Sequence, residues 1–188
     1  MGEKIIVLTG PSGSGKTTIA KILTEIMPRL CFFISLITRS PRYDEIPGKD
    51  YYFTDVEDFK RRITNNEFIE WEEVYEGKFY GTLYSELKRI WFCQKYPLRV
   101  VDIRGAKSLK EKFNEKVLTI FIKPPSFKVL EKRLIRRNSD KPEDIQERVE
   151  VAKGEMKFCN DFDKSIINDD LEKSVLEINK IINEFISS

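Results

Sequence analysis

A glycine-rich run that ends in lysine and threonine gives this sequence its clearest chemical signal. The run Gly10-Pro-Ser-Gly-Ser-Gly-Lys16-Thr17 matches the pattern GxxxxGK[ST] in full. Glycines let backbone N–H groups turn towards phosphate oxygens, and a helix that follows adds positive potential at its N-terminus. Lys16 is long enough to reach the outer phosphates, and Thr17 offers a hydroxyl to Mg²⁺. The run therefore predicts a cradle for the phosphates of a nucleotide.

An acidic residue further along the chain is a candidate for the metal. Asp102 follows Val100 and Val101 at the end of an apolar run. Enzymes with such a loop need an acidic residue at the end of a neighbouring buried strand, close to the metal. An aspartate in this place can equally be a helix cap or a turn residue. Given the loop, Thr17 and Asp102 together predict a Mg²⁺ site, with Asp102 acting through water.

Absent residue types narrow the chemistry. The chain has no histidine, and its three cysteines (Cys31, Cys93 and Cys159) form no CxxC pair. Catalysis by Ser-His-Asp or Cys-His is therefore excluded, and a zinc site is not expected. The cysteines are expected to be reduced core residues. Any reaction must depend on Lys, Arg, Asp, Glu, Thr and Tyr.

Length and charge suit one compact domain. The chain has 188 residues, of which 40% are hydrophobic. Its 33 basic and 31 acidic residues nearly balance, so neither nucleic acid nor an anionic membrane is an expected partner. No apolar run approaches the ~20 residues that span a bilayer, and the N-terminus lacks the regions of a signal peptide. We expect a cytoplasmic protein.

The elements around the glycine-rich run fit its chemistry. A short β-branched run predicts a buried strand over residues 4–9. Apolar residues at helical spacing predict a helix over 16–27, and residues 30–36 predict a second strand. Strand, loop, helix and strand form a βαβ unit, so we expect an α/β fold with a parallel sheet flanked by helices. This context argues against a glycine-rich turn that matches by chance.

A segment of about 60 residues interrupts the α/β pattern. Residues 36–55 are polar and turn-rich, and they are followed by a predicted helix over 56–63, strands over 68–74 and 78–80, and a helix over 84–96. This segment is interpreted as an inserted small α+β lobe. The pattern then resumes with strands predicted over 98–103, 117–122 and 164–167, helices over 106–113, 127–137 and 143–158, and a last helix capped by Asp169 or Asp170.

Motifs along the whole chain carry a resemblance to a known family. They are Ser35-Leu-Ile-Thr38-Arg39-Ser-Pro41-Arg42, Gly48-Lys-Asp-Tyr51-Tyr-Phe53, Phe68-Ile-Glu70-Trp71, Tyr80-Gly81-Thr82, Pro124-Pro-Ser126, Arg133-Leu134, Arg137, Arg148 and Ile167-Asn-Asp-Asp170. In order and approximate spacing these resemble the guanylate kinase family. The resemblance implies a P-loop core over 1–35, 97–125 and 158–188, a GMP-binding lobe over 36–96 and a helical lid over 126–157.

The resemblance also implies an activity and a set of roles. The family transfers the γ-phosphate of ATP to GMP with Mg²⁺, in purine nucleotide metabolism, so ATP and GMP or dGMP are the expected substrates of a monomer or homodimer. The expected ATP-binding residues are Gly10, Pro11, Ser12, Gly13, Ser14, Gly15, Lys16, Thr17, Thr18, Arg133, Asn168 and Asp169, of which the last three are expected near the base. The expected GMP-binding residues are Ser35, Arg39, Arg42, Tyr51, Glu70, Tyr80, Gly81, Thr82 and Asp102. The expected catalytic residues are Lys16, Arg39, Asp102, Arg137 and Arg148.

The chemistry of these residue types agrees with the implied roles. Arg39 and Arg42, with two tyrosine hydroxyls nearby in the fold, suit a phosphate dianion. Glu70 can accept from N1–H and the 2-amino group of guanine, whereas adenine offers neither donor there. A phosphate acceptor is already anionic at neutral pH, since its second pKa is about 6. No general base is required, and positioning with charge neutralisation is enough.

The sequence departs from the family pattern at three places. The usual D-x-D-x-x-G run is two residues shorter here, Asp102-Ile-Arg104-Gly105, so a second carboxylate is missing and Arg104 stands near its place. Ile37 replaces a customary threonine, and one extra residue lies near Tyr75-Glu76-Gly77. We expect the activity to survive these changes.

Two other functions are compatible with parts of this pattern. Guanylate-kinase-like domains of scaffolding proteins bind protein ligands without catalysis, but they tend to lose the phosphate loop that this chain keeps. A kinase for a different small phosphate, such as a ribose bisphosphate, would share the loop. Glu70 and Thr82 argue against that kinase, because a base-free substrate needs no guanine reader.

Overall fold

The chain divides into two compact units. The computed structural model describes residues 3–43, 45–136 and 142–188. Contacts separate Met1–Leu30 together with Leu98–Ser188 from a second unit, Cys31–Pro97. The second unit includes the whole segment that was expected to be an inserted lobe. That this segment binds GMP, and that 126–157 acts as a lid, stay predictions.

Strands and helices alternate along most of the described chain. The strands are β1 (Ile5–Thr9), β2 (Leu30–Phe32), β3 (Ser35–Ile37), β4 (Tyr51–Phe53), β5 (Phe68–Tyr75), β6 (Lys78–Leu83), β7 (Tyr96–Val100), β8 (Val117–Lys123) and β9 (Lys164–Ile167). The helices are α1 (Lys16–Ile26), α2 (Val56–Thr64), α3 (Tyr84–Phe92), α4 (Ile103–Phe113), α5 (Phe127–Arg136), α6 (Pro142–Glu155) and α7 (Leu171–Ser187), with short 3₁₀ turns at Asn114–Lys116 and Met156–Phe158. None of the helices in the described ranges is long and apolar enough to cross a membrane.

A parallel sheet forms the centre of the first unit. Within this unit the strand order is β7-β1-β8-β9, and β1 runs parallel to both β7 and β8. All five residues of β1 are fully buried, as expected for a strand covered on both faces. Ile19, Ala20 and Leu23 bury one face of α1, while its opposite face is polar. The predicted α/β class with a parallel sheet is confirmed.

The second unit has its own mixed sheet and core. The strand order is β4-β3-β6-β5, with β3 parallel to β4 and antiparallel to β6. Phe59 of α2 is fully buried and stacks on Phe68, with ring centroids 4.4 Å apart. The ring centroid of Phe79 lies 5.4 Å from that of Phe59. This aromatic cluster gives the second unit a core of its own.

The prediction of one strand over 30–36 is wrong. Two strands occupy this range instead, because β2 ends at Phe32 and β3 of the mixed sheet begins at Ser35. Between the two strands the N–H of Ile34 donates to the buried carboxylate of Glu86, at 3.4 Å. Glu86 is held in turn by Arg89, with nitrogen–oxygen distances of 2.7 and 2.9 Å. The break therefore depends on a side chain far away in sequence.

The boundaries around Asp102 also differ from the prediction. The strand expected over 98–103 is β7, which ends at Val100, and α4 begins at Ile103 instead of residue 106. Asp102 is the N-cap of α4, and its Oδ1 accepts from the N–H of Gly105 at 2.7 Å. The short run after Asp102 thus goes directly into a helix. The helix predicted over 84–96 is α3, which ends at Phe92 because Gln94 turns the chain with a φ of 55°.

Candidate functional site

The glycine-rich run forms a tight loop between β1 and α1, as predicted. Gly10 has a φ of 127°, and a Cβ there would collide with the backbone carbonyl oxygen of Ile122. The ammonium of Lys16 is turned into this loop, where it donates to the carbonyl of Gly10 at 2.6 Å and to that of Pro11 at 2.8 Å. Thr17 and Thr18 are exposed in the first turn of α1, which carries no acidic residue. The loop and helix thus present positive potential to solvent.

A cleft of about 580 Å³ opens beside this loop, within the first unit. Its lining residues are Gly10, Ser12, Lys16, Val100, Val101, Asp102, Glu147, Arg148, Val151 and Glu155. Three of the predicted catalytic residues, Lys16, Asp102 and Arg148, therefore share one cleft. Asp102 lines the cleft and also caps α4, so the predicted role at the metal and the role as a helix cap are compatible. Arg137 lies outside the described residues.

Glu155 is a cleft residue that the sequence analysis missed. It lies at the end of α6, one face of which also carries Glu147, Arg148 and Val151 into the cleft. Burial raises the pKa of the Glu155 carboxyl; Lys16 acts in the opposite direction, and Asp102 adds to the increase. A half-buried carboxylate beside the loop lysine is a suitable counter-charge. No local motif marks it, because only the fold brings α6 to the loop.

Arg133 and Asn168 both contact the loop at the carbonyl of Ser14. The side-chain amide of Asn168 donates to the carbonyl of Ser14 at 2.8 Å. Arg133 donates to the carbonyl of Asn168 at 3.0 Å and to that of Ser14 at 3.4 Å. Asn168 is buried and Asp169 is exposed. A contact of these three residues with the base of ATP stays a prediction.

Arg39 is the centre of an anion-binding cluster in the second unit. Its two terminal nitrogens donate to the two carboxylate oxygens of Glu45, at 2.6 and 2.7 Å. Its Nε donates to the hydroxyl of Tyr80 at 3.1 Å, and its guanidinium carbon lies 5.2 Å from the centroid of the Tyr51 ring. Three residues expected at the GMP phosphate, Arg39, Tyr51 and Tyr80, are therefore brought together.

Glu45 was not among the expected site residues. Hydrogen bonding from Arg39, together with that from the N–H of Arg42 at 2.8 Å, lowers the pKa of Glu45 to about 2. The same pairing raises the pKa of Arg39 above its ordinary value. The side chain of Arg42 is exposed. The missed signal is an acid placed three residues after Arg42 in a turn, a pattern too common to indicate a partner.

Glu70 and Thr82 are cross-strand neighbours on β5 and β6. The hydroxyl of Thr82, which is fully buried, donates to Oε1 of Glu70 at 3.1 Å. Ser35 lies on β3 in the same sheet, opposite Tyr51 of β4. Gly81 has a packing reason to be glycine, because a Cβ there would lie 2.6 Å from the ring of Phe68. Of the three expected guanine readers, Glu70 and Thr82 are in contact, and Ser35 lies in the same sheet.

Comparison with known proteins relates the whole chain to one family. Residues 2–185 match the family model described as guanylate kinase. A guanylate kinase of Porphyromonas gingivalis is 44% identical over 185 residues, which cover 98% of this chain and 98% of that relative. One from Mesomycoplasma hyopneumoniae is 42% identical over 188 residues, covering 97% of this chain and 95% of the relative. The crystal structure of guanylate kinase from Anaplasma phagocytophilum matches with a TM-score of 0.72 and 35% identity, over 96% of this chain and 85% of that one. Because the family match spans nearly the whole sequence, this chain belongs to the guanylate kinase family.

Proposed function

We propose that this chain transfers the γ-phosphate of ATP to GMP, giving ADP and GDP. The observation that carries the proposal is the fork of Arg39, which already holds two oxygens of an anion, the Glu45 carboxylate. A phosphate monoester offers the same pair of oxygens to such a fork. The hydroxyls of Tyr80 and Tyr51 would complete the phosphate site, with Arg42 reaching it from the exposed turn.

Guanine would be read by Glu70 and Thr82. A carboxylate accepts from both N1–H and the 2-amino group of guanine, and Thr82 orients it through the hydrogen bond to Oε1. With adenine, the carboxylate would face a lone pair at N1 and would lose both donors that guanine supplies. Ser35 and Gly81 belong to the same sheet and would form part of the surface under the base.

ATP phosphates would lie in the loop of the first unit. Lys16 would exchange its bonds to the carbonyls of Gly10 and Pro11 for bonds to phosphate oxygens. Arg148 lines the same cleft and would neutralise charge on the transferred phosphoryl group. Arg137 is proposed to assist it by the family resemblance alone. The acceptor phosphate is already a nucleophile, so no residue has to remove a proton.

Magnesium fits the residues present as a companion of the nucleotide. Thr17 and Asp102 supply a hydroxyl and a carboxylate, which are the oxygen ligands that Mg²⁺ prefers. Within the described ranges, no cluster of three or more Asp, Glu, His or Cys is arranged to hold a metal by itself. A cation bound mostly by phosphates and water, with Asp102 contacting its water, suits this donor set. When bound, Mg²⁺ neutralises and orients the phosphates.

Transfer of labelled phosphate tests the proposal. The protein is incubated with Mg²⁺, ATP labelled at the γ-phosphate, and GMP, and the products are separated by chromatography. We expect the label in the β-phosphate of GDP, in an amount that matches the ADP formed. Label found only in inorganic phosphate would mean hydrolysis without transfer, and label in neither product would mean no reaction; either result would refute the proposal.

A further inference from the structure

The carbonyl of Ser14 is held from outside the loop by two side chains. The Asn168 amide donates to it at 2.8 Å and Arg133 at 3.4 Å. Ser14 is fully buried, so its carbonyl needs such partners. These donors come from α5 and from the residue after β9, far from the loop in sequence. Their common acceptor is a single backbone oxygen.

Asn168 is itself fixed at several atoms. Its N–H donates to the carbonyl of Lys123 at the end of β8, at 2.8 Å. Its own carbonyl accepts from Arg133 at 3.0 Å. Its side chain is packed so closely against Gly15 that a Cβ on Gly15 would collide with the amide nitrogen. An amide so positioned is a rigid donor that holds the loop in one place.

The orientation of one peptide plane follows from this contact. In a trans peptide the C=O of residue 14 and the N–H of residue 15 point in opposite directions. Holding the Ser14 carbonyl on Asn168 therefore aims the Gly15 N–H in the opposite direction, away from the Asn168 amide. Gly15 has a φ of 100° and no Cβ, so its own backbone does not prevent this plane from turning over.

We infer that Asn168, assisted by Arg133, is a positioning residue that keeps the Gly15 N–H directed at the nucleotide's phosphates. The inference rests on the proposed use of the loop to bind ATP. It assigns to Asn168 an action through the backbone of Ser14 and Gly15, not through the adenine base. The amide nitrogen of Asn168 donates to the Ser14 carbonyl, whereas its amide oxygen is buried and has no hydrogen-bond partner among the described residues. The bond to Ser14 is therefore what orients the amide.

A phosphate ligand that has no base distinguishes a positioning role of Asn168 from a direct contact with the adenine base. Binding of Mg-ATP and of tripolyphosphate is measured by calorimetry for the wild type and for Asn168→Ala. We expect both affinities to fall by the same factor, about tenfold, because both ligands use the Gly15 N–H. Asn160→Ala, which removes an exposed asparagine, is the matched control and should change neither affinity.

Other outcomes would overturn the inference. A loss of ATP affinity with unchanged tripolyphosphate affinity would make Asn168 a base reader, and no loss for either ligand would remove its role altogether. Tripolyphosphate binding involves neither GMP nor transfer, so a failure of the proposed function would leave this result unaffected.

A second variant covers the case in which Asn168→Ala does not fold. Arg133 is half-exposed, and Arg133→Lys keeps the positive charge while losing the fork that joins Ser14 to Asn168. We expect about a threefold loss for both ligands, measured on protein whose melting curve is unchanged. An Arg133→Lys protein that binds tripolyphosphate like the wild type would contradict the inference.

Discussion

Both carboxylate oxygens of Glu45 accept hydrogen bonds from the terminal nitrogens of Arg39, at 2.6 and 2.7 Å. The two side chains are largely shielded from water, being 11% and 13% exposed. A bidentate pair of this kind orders the turn that carries Arg39 and Arg42. It also gives Arg39 an anionic partner of the same shape as the edge of a phosphate.

Glu45→Gln should destabilise the protein at neutral pH and matter less in acid. The pKa of Glu45 is lowered from 4.5 to about 2, chiefly by Arg39. Its ionised form therefore contributes stability above pH 4.5, and this contribution is lost as the pH falls towards 2. Melting curves of the wild type and the variant at several pH values measure the difference in stability between them. A difference that stays constant between pH 7 and pH 2 would contradict the pairing. Glu72→Gln, at an exposed site, is the control.

Glu70→Gln should reduce use of GMP by a factor of about ten to a hundred in kcat/KM. The amide retains one acceptor but places a donor against the N1–H or 2-amino group of guanine. Steady-state kinetics with varied GMP measure the effect. Glu72→Gln makes the same change two residues further along β5 and should leave kcat/KM within about twofold. Equal losses in the two variants would show that Glu70 has no special part in reading the base.

Lys16→Ala should lower kcat by about a hundredfold or more while leaving the fold intact. Lys16 is a cation of the phosphate loop, and its ammonium donates hydrogen bonds to two carbonyls of the loop itself. ADP release at saturating GMP gives kcat, and circular dichroism reports the fold. Lys21→Ala, on the exposed face of the same helix, should retain full activity. A folded Lys16→Ala enzyme with wild-type kcat would exclude the loop from catalysis.

Gly81→Ala should cost about 1–3 kcal/mol of unfolding free energy. The new methyl group would lie 2.6 Å from two ring carbons of Phe68 and 3.0 Å from Phe59, inside the aromatic core of the second unit. Gly154→Ala is an opposite control, because nothing lies within 4 Å of a Cβ there and Gly154 belongs to helix α6. It should gain about 0.5–1 kcal/mol. Urea unfolding measures the free energy of unfolding of both variants. A Gly81→Ala variant as stable as the wild type would contradict the prediction, because it would show that the aromatic core can shift to accept the methyl group.

Glu155→Gln should stabilise the protein more at pH 8 than at pH 4. Burial raises the pKa of Glu155 above 4.5, with Lys16 opposing and Asp102 adding to the shift. The folded chain thus favours the protonated acid, and this favourable contribution is present below pH 4.5 and lost as the pH rises through the folded pKa. Glutamine is neutral throughout and avoids the loss. Melting temperatures of the wild type, Glu155→Gln and the control variant Glu177→Gln are measured between pH 4 and pH 8. A difference between Glu155→Gln and the wild type that does not change with pH would contradict the prediction.

Local patterns predicted the elements whose causes are local. The strand, loop and helix over 4–27 were predictable because apolar spacing, glycines and a following helix all agree. The break between Phe32 and Ser35 was not, because it depends on Glu86, which is 52 residues from Ile34. A short window of sequence gives no indication of a tertiary contact between residues so far apart.

The site shows the same division. Residue type and family resemblance singled out Lys16, Arg39, Glu70 and Asp102, and their roles stay predictions. Glu45 was missed because an acid in a polar turn does not indicate a particular partner. The action of Asn168 on Ser14 joins residues 154 positions apart, so it emerges only when the chain is folded.

The central claim, phosphoryl transfer from ATP to GMP, is tested most directly by comparing acceptors. ADP release with Mg-ATP is measured against GMP, dGMP, AMP, CMP, UMP and ribose phosphates, with Lys16→Ala as the blank. We predict turnover with GMP and dGMP only, and its loss in the blank. Turnover with another acceptor, or none with GMP in a folded protein that binds ATP, would contradict the account.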